Sequence, residues 1–207
     1  AYDFKVGDIY YSISNKAASL VNVVAGETKY AGNITIPETV ENAGVVYTVY
    51  GIGSSAFYEC PMLQSVDIPN SVTSLGSDAF CGCKALTRAS IGNNLKVVSQ
   101  NAFKGCEALE SVVLGSKVES LGFRAFSGCV KLKDINLNDN IISFSDYVFA
   151  DCVSLTNVVI GKSVQSMGVG VFSGCTNITG VEIRDGATVI GSSAFYECIK
   201  LQSVDIP

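Results

Sequence analysis

The sequence contains no histidine and no tryptophan, and only two methionines and four prolines among its 207 residues. The absence of histidine removes Ser-His-Asp and Cys-His catalysis, imidazole metal sites and histidine-based pH switching together. Basic residues are also few. Fourteen Lys and Arg stand against nineteen Asp and Glu, a net charge of -5, which leaves no electrostatic footprint for a phosphate backbone and excludes nucleic acid as a partner. Apolar residues make up 48% of the chain, yet Gly, Ser, Asn or a charge interrupts them every few positions. No run approaches the roughly 18 to 20 residues needed to span a bilayer, so a chain that does not cross a membrane is expected. Residues 1–10 lack the basic start and apolar stretch of a signal peptide, so any leader is expected to have been removed or never to have existed.

What the chain does contain is repetition. Phe57, Phe80, Phe103, Phe126, Phe149, Phe172 and Phe195 follow one another without an insertion, at a constant step of about 23 residues that lies in the range of stacked repeat architectures. Cys60, Cys83, Cys106, Cys129, Cys152, Cys175 and Cys198 keep the same step. Two further columns run in phase: Leu63, Leu86, Leu109, Leu132, Leu155, Ile178 and Leu201, then Ile68, Ile91, Leu114, Leu137, Ile160, Ile183 and Ile206. Residues 53–69 read GSSAFYECPMLQSVDIP and residues 191–207 read GSSAFYECIKLQSVDIP, a near copy six periods later. Duplication accounts for such agreement.

Spacing within one unit predicts its local structure. From Phe57 through Cys60 to Leu63 the apolar step is three, which suits a short helical or 3₁₀ turn facing inward. From Val66 to Ile68 the step is two, as in a short strand, and Pro69 ends the pairing at little cost. Val72 and Leu75 return the chain to the core. Gly53, Gly76, Gly122, Gly168 and Gly191 precede the next turn and are expected at positive φ. A unit this short cannot enclose a core alone, so units must stack and equal columns become inward ladders. Strands about 4.8 Å apart would extend the array by roughly 29 Å over six steps.

Residues 1–50 do not follow the step and are read as an N-terminal β-rich cap, with the repeat array over residues 51–207. Alternation over residues 8–13, an apolar stretch over 19–24 and the Ile34-Thr35-Ile36-Pro37 segment predict two or three strands. Nine residues more than in a regular unit separate Ile36 from Phe57, and they include Val45-Val46-Tyr47-Thr48-Val49. Because the sequence stops at Pro207 in mid-unit, the natural array is expected to continue.

The columns A-F-x-x-C-x-x-L-x-x-V-x-I-P followed by V-x-x-L-G closely resemble the BspA-like, or Treponema pallidum type, class of leucine-rich repeats over about residues 51–207. The GDIYYSIS and NITIPETV segments resemble the leader region of such proteins in Bacteroides-like bacteria. The resemblance implies a right-handed solenoid with one narrow parallel sheet, in surface-exposed or secreted proteins, some of them adhesins. It implies no catalytic chemistry. The asparagine that most leucine-rich repeats carry after the strand corresponds to Ser71, Asn94, Lys117, Asn140, Ser163 and Gly186, so no full asparagine ladder is expected.

Motifs that suggest chemistry have plainer readings. Eight cysteines permit 105 pairings, but seven occupy an inward column where a thiol behaves as a small apolar side chain, and reduced, buried thiols are expected. Cys81 falls in a mixed, exposed column with no base beside it. Gly161-Lys162-Ser163 lacks the first glycine of a phosphate loop, since Thr156 stands there. Asp134, Asp139, Asp146 and Asp151 are spread around successive turns, unlike a calcium loop. No metal or cofactor is expected.

The outward side of the strand column remains. Strand alternation turns Ser65 and Asp67 away from the core, and likewise Arg88 and Ser90, Ser111 and Val113, Asp134 and Asn136, Asn157 and Val159, Gly180 and Glu182, Ser203 and Asp205. Residues here vary while the core repeats, as recognition demands. Arg88, Asp134, Asn136, Asn157 and Glu182 are the candidate contacts for a protein or glycan ligand. The expected role is a non-catalytic binding or adhesion module of an extracellular or cell-surface bacterial protein. A rigid spacer presenting another domain is the alternative.

Overall fold

The computed structural model describes residues 1–207 apart from the side chain of Asp134. The chain is a parallel β-solenoid of about seven turns at the 23-residue step, and no helix forms among the described residues.

The first 52 residues form six strands: β1 (Phe4–Val6), β2 (Ile9–Asn15), β3 (Leu20–Val23), β4 (Ala31–Thr35), β5 (Thr39–Asn42) and β6 (Val45–Ile52). Two or three were expected. The surplus comes from hairpins with weak turn signals. Gly7, at φ 58°, opens the two-residue turn between β1 and β2. Ala43 and Gly44, both at positive φ, join β5 to β6, an alanine standing where Asn or Asp would advertise the turn. Phe4, Tyr11, Val21, Val40, Tyr47 and Val49 are buried together inside this region, with Phe4 stacked 5.4 Å from Tyr11.

Most later coils add strands on two sides. One side carries β7 (Met62–Ile68), β9 (Arg88–Ile91), β11 (Ser111–Val113), β13 (Asp134–Ile135), β15 (Asn157–Ile160), β17 (Gly180–Ile183) and β18 (Ser203–Asp205). The other carries two-residue strands, β8 (Ser74–Leu75), β10 (Val97–Val98), β12 (Ser120–Leu121), β14 (Ser143–Phe144) and β16 (Ser166–Met167). Sequence reading anticipated the first ladder only. The second follows from residues such as Leu75, Val98 and Leu121, buried beside exposed or half-buried partners in strands too short to show alternation.

The cap pairs with the first strand on each side. Strand β4 pairs parallel with β7, and β6 pairs parallel with β8. All strand pairings in the repeats keep a displacement of one full period, for example Val66 beside Ala89 and Ala89 beside Val112.

The third side holds the Phe and Cys columns, and here two expectations need correction. The turns are not 3₁₀ helices, although Tyr58 and Cys60 donate to Ser55 and Phe57 three residues back. Alternate N–H groups leave the coil instead: Ser55 donates to Ser77 O (2.9 Å), Phe57 to Ala79 O (2.7 Å) and Glu59 to Cys81 O (2.8 Å). Aiming those donors along the stack requires left-handed backbone in two columns. One contains Ser55, Asp78, Asn101, Arg124, Tyr147, Gly170 and Ser193; the other contains Glu59, Gly82, Gly105, Gly128, Asp151, Gly174 and Glu197. Glycine holds four positions of the second column because it adopts that region without steric cost.

Gly53, Gly76, Gly122, Gly168 and Gly191 are not among the positive-φ residues. Their role is close approach. A Cβ on Gly122 would lie 2.7 Å from Gln100 N, and one on Gly76 would strike the Ser54 backbone.

Core energetics follow the columns. Phe57, Phe80, Phe103, Phe126, Phe149 and Phe172 are fully buried and stack with centroids 4.7, 5.0, 5.3, 5.4 and 5.4 Å apart, all within 17° of parallel. Each contributes on the order of 1.5 to 3 kcal/mol by the area it removes from water. Tyr30 extends the stack into the cap, 4.2 Å from Phe57. Beside the rings, the column thiols from Cys83 onward donate to the phenylalanine carbonyl of the preceding coil, among them Cys83 to Phe57 O (2.9 Å), Cys106 to Phe80 O (3.1 Å), Cys129 to Phe103 O (3.2 Å) and Cys152 to Phe126 O (3.1 Å). All eight cysteines are free, and seven are buried. Burial pushes Cys106, Cys129 and Cys152 well above the usual thiol range, so they stay protonated and keep donating.

Candidate binding face

The outward positions of the first ladder form two files. Register places Ser65, Arg88, Ser111 and Asp134 in one file, and Asn157, Gly180 and Ser203 continue it. Asp67, Ser90 and Val113 form the second, continued by Val159, Glu182 and Asp205. Files arise because strand side chains alternate and the coils stack in register.

Near the cap this face is knotted together. Arg88 donates to both carboxylate oxygens of Asp67 (2.8 and 3.4 Å), and Ser90 donates to the same group (2.7 Å). The Arg88 guanidinium and then Ser90 hold the Asp67 carboxyl below its ordinary range, while Asp67 raises Arg88. Arg88 is therefore exposed but internally paired. Ser65, expected outside, is buried because Asn33 of β4 covers it and accepts its hydroxyl at 2.7 Å.

Farther along, the ladder breaks. Sheet pairing runs β4, β7, β9, β11, β13 and resumes as β15, β17, β18. The bond that carries Lys133 N–H to Glu110 O and Thr179 N–H to Thr156 O has no counterpart at Thr156 among the described residues. The corner after the strand also departs from the repeat in this coil. A Cβ on Gly92 would sit 2.5 Å from the Pro69 carbonyl, so glycine there lets coils nest, as at Gly115 and Gly161. Asn138 occupies that column in the fourth coil. Its side chain donates to Gly115 O of the preceding coil at 3.4 Å, on the side where β11 and β13 stay paired, and β13 is two residues long.

Where the strands part, a cavity of about 130 Å³ opens. Phe149, Phe172, Leu155 and Val158 form its apolar wall, and Asn136, Asn157 and Arg184 bring polar groups to it. Apolar walls with a few convergent polar groups are the usual composition of a ligand pocket, though this one is below the ~300 Å³ of a typical small-molecule site. Arg184 spans the region. It donates to Asp139 Oδ1 at 2.9 Å, two coils back, and lies 3.4 Å from Glu182 Oε1. Its guanidinium holds the Asp139 carboxyl low.

The structure thus brings Asn136 and Asn157 to one cavity and links Glu182 to it through Arg184. Arg88 stands apart, two rungs from β13, and the side chain of Asp134 lies outside the described residues. Sequence reasoning missed Arg184 and Asp139. A signal existed: Arg184 occupies the corner column otherwise filled by Pro69, Gly92, Gly115, Asn138, Gly161 and Pro207.

The turn side offers a second group. Arg124 lies 5.0 Å from the Phe123 ring and 5.7 Å from the Tyr147 ring, a cation held between two aromatic faces. Cys81 is half-buried with its thiol raised chiefly by burial, so it is not an activated nucleophile. Among the described residues no cluster of three or more metal-ligating side chains occurs, and no helix is long and apolar enough to cross a membrane.

Stacked parallel coils with fixed inward columns and a varied outward face define a leucine-rich repeat solenoid. The model of the BspA type leucine-rich repeat region matches residues 32–152 and 96–207, in six copies, and the chain belongs to that family. A search of curated proteins finds no match. Among solved structures, a leucine-rich repeat protein from Bacteroides ovatus is 26% identical over 98% of this chain and 70% of its own, with a TM-score of 0.58. A leucine rich cell surface protein from Faecalibacterium prausnitzii is 26% identical over 97% of this chain, with a TM-score of 0.61, and this chain spans 53% of its length. The T. pallidum leucine-rich repeat protein shares the fold at 23% identity, covering 95% of this chain and 78% of its own, with a TM-score of 0.66.

Proposed function

We propose that this chain is a non-catalytic binding module of a bacterial cell-surface or secreted protein, with a cap over residues 1–50 and a repeat array over 51–207. Its outward strand face contacts a protein or glycan ligand, with Arg88, Asp134, Asn136, Asn157 and Glu182 as contact residues. The observation that carries this reading is the meeting of Asn136, Asn157 and Arg184 at a cavity reaching the phenylalanine stack. The outward face also varies from rung to rung while the columns beneath it do not. The name of the Faecalibacterium prausnitzii relative supports a surface location. Against catalysis stand the lack of histidine and the pairing of Asp67 and Asp139 with arginines, which lowers carboxyl pKa values rather than poising them near neutrality. A net charge of -5 opposes nucleic acid binding.

The test compares the array with a variant carrying Ala at Arg88, Asn136, Asn157 and Glu182, in pulldowns of host surface proteins and on a glycan array. Loss of a ligand with an unchanged melting temperature supports the reading. Equal capture by both proteins moves the contact off this face. The spacer reading rests on a separate observation, the backbone bonding of successive coils on all three sides; it gains if neither protein captures anything.

A further inference from the structure

Strand β4 is the first rung of the strand ladder and pairs on one side only, with β7. Ile36 N–H donates to Asp67 O at 3.0 Å, so backbone groups of that parity face β7. Those of Asn33 and Thr35 therefore face away from it. This open edge lines a cleft of about 450 Å³, whose opposite walls are the β1–β2 turn and β5. Buried Ile9, Ile34 and Val40 supply apolar surface, and exposed Asp8 and Glu41 stand at the rim with no Lys or Arg among the lining residues.

We propose that this cleft receives an extended basic segment of another protein, which adds as a strand along the Asn33–Thr35 edge. Unpaired N–H and C=O groups on an edge strand are a template for a further strand, and pockets for alternate side chains give such additions their selectivity. An added strand points alternate residues to opposite faces. One set, apolar, meets Ile9, Ile34 and Val40; the other, Lys or Arg, stays in water beside Asp8 and Glu41. A bulge between Gly32 and Asn33 and the following Pro37 confine the open edge to a few residues. Main-chain pairing alone is thus short, and the apolar seat and the two carboxylates must complete recognition. The surface lies apart from the Asn136–Asn157 cavity, so the two readings fail independently.

The test uses the full chain and a labelled Lys-Val-Lys-Val-Lys-Val-Lys peptide, blocked at both ends, followed by fluorescence anisotropy. Saturable binding is expected, weaker by about tenfold or more for the Glu-Val counterpart. All Val nitrogens face one side of an added strand and all Lys nitrogens the other. Of two isomers, one N-methylated on all three Val and one on three of the four Lys, a single isomer should lose about tenfold or more while the other keeps the parent affinity. Thr35→Pro removes an outward N–H, leaves the backbone bonds to β7 in place, and should weaken binding, whereas Thr35→Val, which loses the same hydroxyl bond to Asp67 but keeps the N–H, should not. Asp8→Lys combined with Glu41→Lys should favour the Glu-Val peptide. Absence of saturable binding, or equal affinity of the parent and both methylated isomers, overturns the proposal. If Thr35→Pro does not fold, the isomer pair alone decides.

Discussion

The phenylalanine side and the strand side of the same coils behave differently along the stack. On the phenylalanine side, ring follows ring from Phe57 to Phe195 with no gap, the last pair 5.6 Å apart, and the thiol-to-carbonyl bond persists as far as Cys198. On the strand side, pairing stops after β13 and resumes at β15. The chain crosses that break without losing its stack, as Phe126 and Phe149 remain 5.4 Å apart and 6° from parallel. Regularity is thus maintained by one side and variation is tolerated on the other. Rings, thiols and left-handed donors fix the rise of each coil, and the outward strand residues are released from that duty.

The sharpest way to break this comparison is Phe126→Ala, expected to cost roughly 3 to 5 kcal/mol because neighbouring rings cannot collapse into the space. Val113→Ala, on the exposed strand face, should stay within about 0.5 kcal/mol. Chemical denaturation measures both, and similar losses would erase the distinction between the sides. Next in size is Cys129→Ala, which leaves Phe103 O without the thiol proton and should cost about 1 kcal/mol. Thiol alkylation sharpens the point: Cys81 should react alone in the native protein, and all eight cysteines in denaturant.

Smaller still is Arg184→Ala. The pair with Asp139 is exposed, so little or no loss is expected on denaturation. Backbone amides at Thr156 and Val159 should exchange with solvent faster than those at Thr179 and Glu182 in the wild type. Equal protection would close the break. The least effect concerns acid. Arg88 holds the Asp67 carboxyl below its unfolded value, so this pair stabilises above the ordinary carboxylate range and fades as pH falls through the folded value. Melting from pH 7 to pH 5 should be nearly flat for this pair, and Asp67→Asn should blunt the decline below about pH 4.

The parts of this architecture that were legible are those recorded in side-chain type. Columns of Phe, Cys and Leu announce the step, the inward faces and the free thiols, because burial selects residues of fixed size at fixed phase. Backbone devices leave fainter marks. The left-handed columns contain Arg124 and Tyr147 beside Ser, Asp, Asn and Gly, so composition does not reveal them, and glycines that serve close approach look in sequence like positive-φ positions. The β5–β6 hairpin was hidden by Ala43. On the outward strand face, alternation identifies Asn136 and Asn157, but the cavity beside them opens where β13 and β15 do not pair, a matter of packing between coils that no residue column records. The Arg184–Asp139 pair joins residues 45 positions apart, a separation no single-unit pattern encodes.

Every second phenylalanine-side N–H addresses a carbonyl of the following coil, one position short of a full period ahead, whichever coil it belongs to. A coil therefore offers its successor the same socket it was itself offered. Excising or inserting one whole unit joins compatible surfaces, whereas a change of one residue rotates every later side chain out of phase. The reach of the molecule is thereby adjustable in increments of about 4.8 Å, a ruler whose graduations recombination can add or remove without redesigning what lies on either side.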